Sequence, residues 1–191
     1  MPVWPTQTGL PPLKQTAVLP EEHVTVPPPP ELLIQTLGDL ELFLNDENIK
    51  LPVLIKAALA HVQFETIHPF LDGNGRLGRL LITFILCGEG VLKEPLLYLS
   101  LYLKANRQQY YDHLQLGRET GDWEAWIKFF LTGVVETANQ ATETAQAIIK
   151  LFNKDRTMIE KSGRSTATIL TLHTYLQRNP ISNTTKIKKT C

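Results

Sequence analysis

The chain has 191 residues, of which 43% are hydrophobic and 20% charged, with 19 basic residues balanced by 19 acidic ones, 13 prolines and two cysteines. The balanced charge leaves no basic footprint for nucleic acid, the apolar runs are too short for a membrane helix, and the apolar content fits one domain with its own core. Cys87, in an apolar segment, and Cys191, the last residue, do not read as a disulfide, and no charged-then-apolar leader follows Met1, so the chain is expected in the cytoplasm.

Prolines at positions 2, 5, 11, 12, 20 and 27 to 30 exclude a long helix from the first thirty residues and favour extended or polyproline structure. The four prolines before Glu31-Leu32-Leu33 read as a stiff spacer entering a helix, with Pro30 near its first turn. From Leu51 to Ile67 the pattern is helical. Val53, Ala57, Ala60, Phe64 and Ile67 form one stripe, and Leu54, Ala58, His61, Glu65 and His68 form a second. Pro69 disfavours helical backbone at position 68, so this helix is expected to end there.

The next twelve residues, His68-Pro69-Phe70-Leu71-Asp72-Gly73-Asn74-Gly75-Arg76-Leu77-Gly78-Arg79, join a base, a carboxylate, small loop residues and two arginines. Leu80 to Cys87 reads as a buried helix, which puts Arg76 and Arg79 in its first turn on one face. A helix N-terminus is a poor place for cations, because it carries partial positive charge and unpaired N–H groups. An anion bound between them reverses the sign of that interaction. Gly73 and Gly75 allow positive φ and close backbone approach, Asn74 tolerates the same conformations and offers an amide donor, and the guanidinium forks match phosphate oxygens. Asp72 beside this cradle would repel a phosphate unless a cation lay between them, and Mg²⁺ takes one or two carboxylates with phosphate oxygens and water. The plainer role for Asp72 is a loop or cap residue. His68 can take a proton from an incoming hydroxyl, and Glu65 either orients it or serves at the surface or as a cap.

Gly73 to Gly78 also spells G-x-G-x-x-G, the dinucleotide fingerprint. That fingerprint needs a strand before it, and the preceding segment has helical periodicity, so the dinucleotide reading is set aside. Further along, Asn106 to Leu116 and Trp123 to Phe152 read as helices, with Trp126, Phe129, Phe130, Val134 and Ala138 as core and Glu136 to Gln146 as a solvated face. His61, His113 and His173 lack the spacing of a zinc site. A basic tail, Lys186-Ile187-Lys188-Lys189, closes the chain.

The run from His68 to Arg79 resembles, at every specified position, the motif H-P-F-x-[DE]-G-N-G-R-x-x-R of Fic-domain proteins. The similarity continues through Phe64-Glu65-Thr66-Ile67, Leu96 to Ser100, Tyr110-Tyr111 and Gly121-Asp122-Trp123-Glu124, and covers roughly Val18 to Phe152. The resemblance implies a mainly α-helical bundle with a small β-hairpin flap, and transfer of AMP from ATP to a Ser, Thr or Tyr hydroxyl of a target protein. By the same resemblance His68 is the general base, Asp72 the Mg²⁺ ligand, and Gly73, Asn74, Gly75, Arg76, Leu77, Gly78 and Arg79 the nucleotide-binding run. Tyr110 falls on the adenine side, with core packing as its alternative, and Arg118 near another nucleotide contact. Glu22, His23, Val24 and Thr25 would lie in the flap, within Ala17 to Val26, that docks the target's backbone; a disordered arm is the other reading. Glycine at position 73 argues against the phosphorylating relatives, which carry alanine there.

The expected division is a proline-rich arm over 1–16, a Fic domain over 17–155, and a C-terminal helix with basic tail over 156–191, a candidate remnant of a winged-helix domain. The chain reads as shortened at both ends. The inhibitory pattern [ST]-x-x-x-E-[GN] of many relatives does not occur; Thr132 to Glu136 comes nearest, but Thr137 follows. The sequence then reads as a fragment, a truncated gene product or an unrestrained form, with a separate inhibitory chain or a homo-oligomer as the source of any restraint. A rival reading is a catalytically impaired Fic remnant that serves as a nucleotide-binding or interaction module. A DNA-associated regulator rests only on the basic tail and on analogy to longer relatives.

Overall fold

A computed structural model of the protein describes residues 27–94, 97–163 and 166–190. The proline-rich arm and the flap expected around Glu22, His23, Val24 and Thr25 lie outside the described residues. Among the described residues the structure is α-helical, with eight α-helices and no strand. The expectation of a mainly α protein holds.

Pro30 opens a 3₁₀ turn (Pro30–Leu32) that runs into α1 (Leu33–Asn45), where the missing proline N–H costs nothing. Leu40 and Phe43, three residues apart, bury one face of α1 against Ala60 and Ile67. Asp46 ends the helix in an extended conformation and its Oδ1 accepts the Asn48 N–H at 2.8 Å.

The second helix, α2 (Val53–Ile67), is the centre of the fold. Ala57, Ala58, Ala60, Val62 and Ile67 are all buried, so both of its stripes face protein. Small residues at 57, 58 and 60 let neighbours approach closely. Its main partner is α3 (Asn74–Gly88), which buries Ile82 and Leu86. A Cβ on Gly78 would collide with Glu65 Oε1 and stand 3.1 Å from the His61 ring, so Gly78 is the point of close passage between α3 and α2.

Asn106 breaks what would be one long helix into α4 (Leu99–Ala105) and α5 (Arg107–Thr120). Gly121, at φ 72°, ends α5 in the left-handed conformation, and Asp122 Oδ1 accepts the Ala125 N–H at 3.2 Å at the start of α6 (Trp123–Glu160). Trp126 is fully buried and its indole N–H donates to the Ala58 carbonyl at 3.0 Å. Phe129 and Phe130 complete this core with Leu99, Leu103, Tyr110 and Leu114. Ala138, expected in the core, is exposed. The buried position on that turn goes to Thr137, whose hydroxyl donates to the Gly133 carbonyl and so leaves the apolar core no polar debt.

The helix α6 continues to Glu160, eight residues beyond the expected end. The described residues divide along it into two compact units, between Ala138 and Asn139. Within the second unit, α7 (Thr166–Arg178) supplies His173, whose Nε2 lies 4.0 Å from the Asp155 carboxylate and whose ring meets Phe152 edge-on. The basic tail is helical as α8 (Thr184–Thr190), with Asn183 Oδ1 accepting the Lys186 N–H at its start. No described helix is long and apolar enough to cross a membrane.

Candidate active site

The loop between α2 and α3 is shaped by two left-handed residues. His68 caps α2 at φ 48°, ψ 57°, with its N–H on the Phe64 carbonyl at 3.0 Å, and is the one non-glycine residue with positive φ among those described. Pro69 makes helical backbone at position 68 unfavourable, which matches the expected end of α2. Gly73, at φ 88°, caps α3, and its carbonyl accepts the N–H groups of Arg76 and Leu77 at 3.0 Å. The Asn74 and Gly75 N–H groups then stand in the first turn with no acceptor inside the helix, the usual condition of an anion-binding N-terminus.

Asn74 is almost fully buried. Its Oδ1 accepts the Phe70 N–H at 2.9 Å and its amide donates to the Phe70 carbonyl. Its side chain therefore closes the loop from within. Leu71, wholly exposed, and Phe70, half-exposed, sit at the tip of the loop.

The two arginines differ. Arg76 is exposed and pairs with Asp72 across 3.1 Å, one helical turn apart. Arg79 is half-buried and lies back over Gly75: a Cβ there would stand 3.1 Å from its Nη1. Its guanidinium is thus already held over the first turn, whereas that of Arg76 rests on a carboxylate in water. Asp72 is open to solvent and its Oδ1 accepts the Gly73 N–H at 2.6 Å. No cluster of three His, Cys, Asp or Glu residues occurs among the described residues, so the chain offers a metal one carboxylate here. That donor set suits a magnesium ion coordinated mainly by phosphate oxygens and water.

His68 is half-buried, and burial together with the nearby Arg118 charge holds its imidazole below its ordinary pKa, against a hydrogen bond with the Glu65 main chain that works the other way. A neutral ring at neutral pH is the form that accepts a proton.

Behind the loop lies a buried polar group that the sequence did not single out. His61 is fully buried, and its Nε2 lies 2.9 Å from the Tyr110 hydroxyl. Burial lowers the His61 pKa to about 4 and raises that of Glu65 to about 7, the latter opposed by Arg79 and Arg118. His61 Nδ1 and Glu65 Oε1 are both buried without a hydrogen-bond partner and face Gly78. Glu65 is 6% exposed, which removes the surface role considered for it. The signal was present in the stripe Ala58, His61, Glu65, His68, but periodicity alone does not say that polar side chains on a stripe are buried.

Tyr110 is 3% exposed and packs against Trp126 and Tyr111. Gly78 belongs to the crossing of α2 and α3, and Leu77 is exposed. Arg118, half-buried, reaches the end of α2, where its Nε donates to Thr66 Oγ1 at 3.1 Å and its Nη2 to the Glu65 carbonyl at 3.2 Å.

The fold and site together define a helical domain with a glycine-bearing loop at a helix N-terminus and a histidine at the loop's far end. Residues 7–86 match the Fic/DOC family. It is 38% identical over 105 residues to the protein adenylyltransferase Fic of Aedes aegypti, which covers 54% of this chain and 20% of that relative. It is 37% identical over 82 residues to a probable protein adenylyltransferase of Aquifex aeolicus, covering 43% of this chain and 25% of that one. A Caenorhabditis briggsae protein adenylyltransferase is 33% identical over 104 residues, 54% of this chain and 19% of the relative. The chain thus spans about a fifth to a quarter of the length of these curated relatives.

Proposed function

We propose that this protein is a protein adenylyltransferase that moves AMP from ATP to a Ser, Thr or Tyr hydroxyl of a target protein and releases pyrophosphate. The observation that carries the reading is the placement of His68, left-handed at the end of α2, across a short loop from the open N-terminus of α3 with Arg79 folded over it. The relatives named as adenylyltransferases support it.

In this reading the loop N–H groups, Arg76 and Arg79 bind the ATP phosphates. Arg76 leaves its solvent-exposed pairing with Asp72 at little cost, since such pairs contribute roughly 0–1 kcal/mol. Asp72 would hold Mg²⁺, which when bound neutralises phosphate charge. The His68 imidazole takes the proton of the target hydroxyl as its oxygen bonds to the α-phosphorus, and the bond from that phosphorus to pyrophosphate breaks. The low pKa of His68 keeps the base form present in mildly acidic solution, and transfer is lost as pH falls through it. The residues at 22–25 dock the target, and the transferase acts in the cytoplasm.

The test is incubation with Mg²⁺ and ATP labelled at the α-phosphate, in lysate and alone, beside His68→Ala. Label on protein with the wild type only is the expected result. ATP binding without label would instead favour a binding module, and label from the γ-phosphate would make the protein a kinase.

A further inference from the structure

Proline at position 69 has a second effect, on the helix before it. In α2 the carbonyl of Glu65 would accept the N–H of residue 69, four positions on, and proline has none. That carbonyl takes a side-chain donor instead: Arg118 Nη2 reaches it at 3.2 Å. The second arm of Arg118, Nε, holds Thr66 Oγ1 at 3.1 Å, and that hydroxyl donates in turn to the Val62 carbonyl at 2.8 Å. A guanidinium from α5, 50 residues further along the chain than His68, thereby grips two successive residues of the last turn of α2. A cation is also favourable there, at the negative end of the helix.

We propose that Arg118 is a positioning residue for His68: it anchors the Glu65 carbonyl left open by Pro69, and so fixes the left-handed backbone and the imidazole that project from this turn. Left-handed backbone at a non-glycine residue persists where its surroundings over-determine it. Arg118 supplies that constraint from a separate helix. The planar fork matters, because a lysine ammonium is a point charge that cannot hold Thr66 and Glu65 in the same way. The charge that acts on His68 is that of Arg118 on α5, while the Glu65 carboxyl on α2, raised to about 7 by burial, faces Gly78.

The inference rests on His68 being the base, and the experiment separates the two. Arg118→Gln and Arg118→Lys are compared with wild type by NMR titration of the His68 ring, calorimetry with Mg·ATP, and the pH profile of AMP transfer. Arg118→Gln is expected to bind Mg·ATP within about twofold of wild type and to transfer AMP slower by on the order of tenfold or more, part of the roughly 10²–10⁴ that a positioned base contributes. Its His68 titration and the acid limb of its pH profile move up in pH. Arg118→Lys restores the titration but only part of the rate, and carries the test if circular dichroism shows Arg118→Gln unfolded. Mg·ATP binding weakened about tenfold with the His68 titration unmoved would make Arg118 a nucleotide contact and overturn the proposal. Should the wild type transfer no AMP, the adenylyltransferase reading fails alone, and the NMR titration still decides whether Arg118 governs His68.

Discussion

The Tyr110 hydroxyl lies 2.9 Å from Nε2 of His61, and the two side chains, 3% and 0% exposed, join α5 to α2 through the middle of the core. Removing the hydroxyl leaves a buried ring nitrogen without a partner. Tyr110→Phe should therefore cost about 1–3 kcal/mol of stability in urea denaturation, the desolvation cost of an orphaned polar atom. Its affinity for ATP should stay close to wild type, because the ring serves the core.

His61 and Glu65 give opposite pH dependences. His61 has a folded pKa of about 4, below its ordinary value, so its contribution is present above pH 6.5 and is lost as pH falls toward 4. Glu65 has a folded pKa of about 7, above its ordinary value, so its contribution is present below pH 4.5 and is lost as pH rises through 7. Between these limits the two slopes oppose each other. Glu65→Gln should expose the His61 slope, with stability relative to wild type dropping by up to ~3 kcal/mol on acidification from pH 6.5 toward 4, and should be the more stable protein at pH 8. Denaturation midpoints across that range check it: a flat profile for the variant itself would count against a buried neutral His61, and a flat difference from wild type against a raised Glu65.

The two glycines at 38 and 78 should respond in opposite directions to alanine. A Cβ at Gly78 meets the Glu65 carboxyl and the His61 ring, so Gly78→Ala is expected to lose about 1–3 kcal/mol by overpacking. A Cβ at Gly38, within α1, meets nothing within 4 Å, so Gly38→Ala should gain about 0.5–1 kcal/mol of helix propensity. Thermal or urea unfolding of both variants measures the contrast.

His68 holds a backbone conformation that glycine adopts at no steric cost. His68→Gly and His68→Ala should both lose AMP transfer. Of the two, His68→Gly should be the more stable by about 1 kcal/mol, since alanine keeps the left-handed Cβ clash. Equal stability would mean that the loop relaxes out of this conformation.

Asp72→Asn breaks an ion pair that is largely exposed on both sides, so the denaturation midpoint should barely move. The stimulation of ATP binding by Mg²⁺ should disappear. Calorimetry with and without the ion reads this directly, and an undiminished metal effect would remove Asp72 from the metal site.

The end of α2 at position 68, the start of α1 at the proline run and the helical character of 53–67 and 123–152 were all legible in the residues. They rest on local rules, namely Pro and Gly conformations and the spacing of apolar residues over a few turns. Val134 and Ala138 show the limit of such rules. Both continue the apolar spacing from Trp126, yet Val134 is only partly buried and Ala138 is exposed, because α6 runs on past the helices that cover its first turns.

By itself the sequence determined the loop: which residues carry charge, where glycine allows positive φ, and which helix begins behind it. Only the tertiary structure decided which of those residues meet. Gly78 against Glu65 and His61, Tyr110 against His61, and Arg118 on the turn before His68 are contacts between helices separated by up to about fifty residues. Their side chains are polar or small, so apolar periodicity is silent about them. Their burial and charge follow from how closely α2 is surrounded, a property of the packed core that no local stretch of sequence carries.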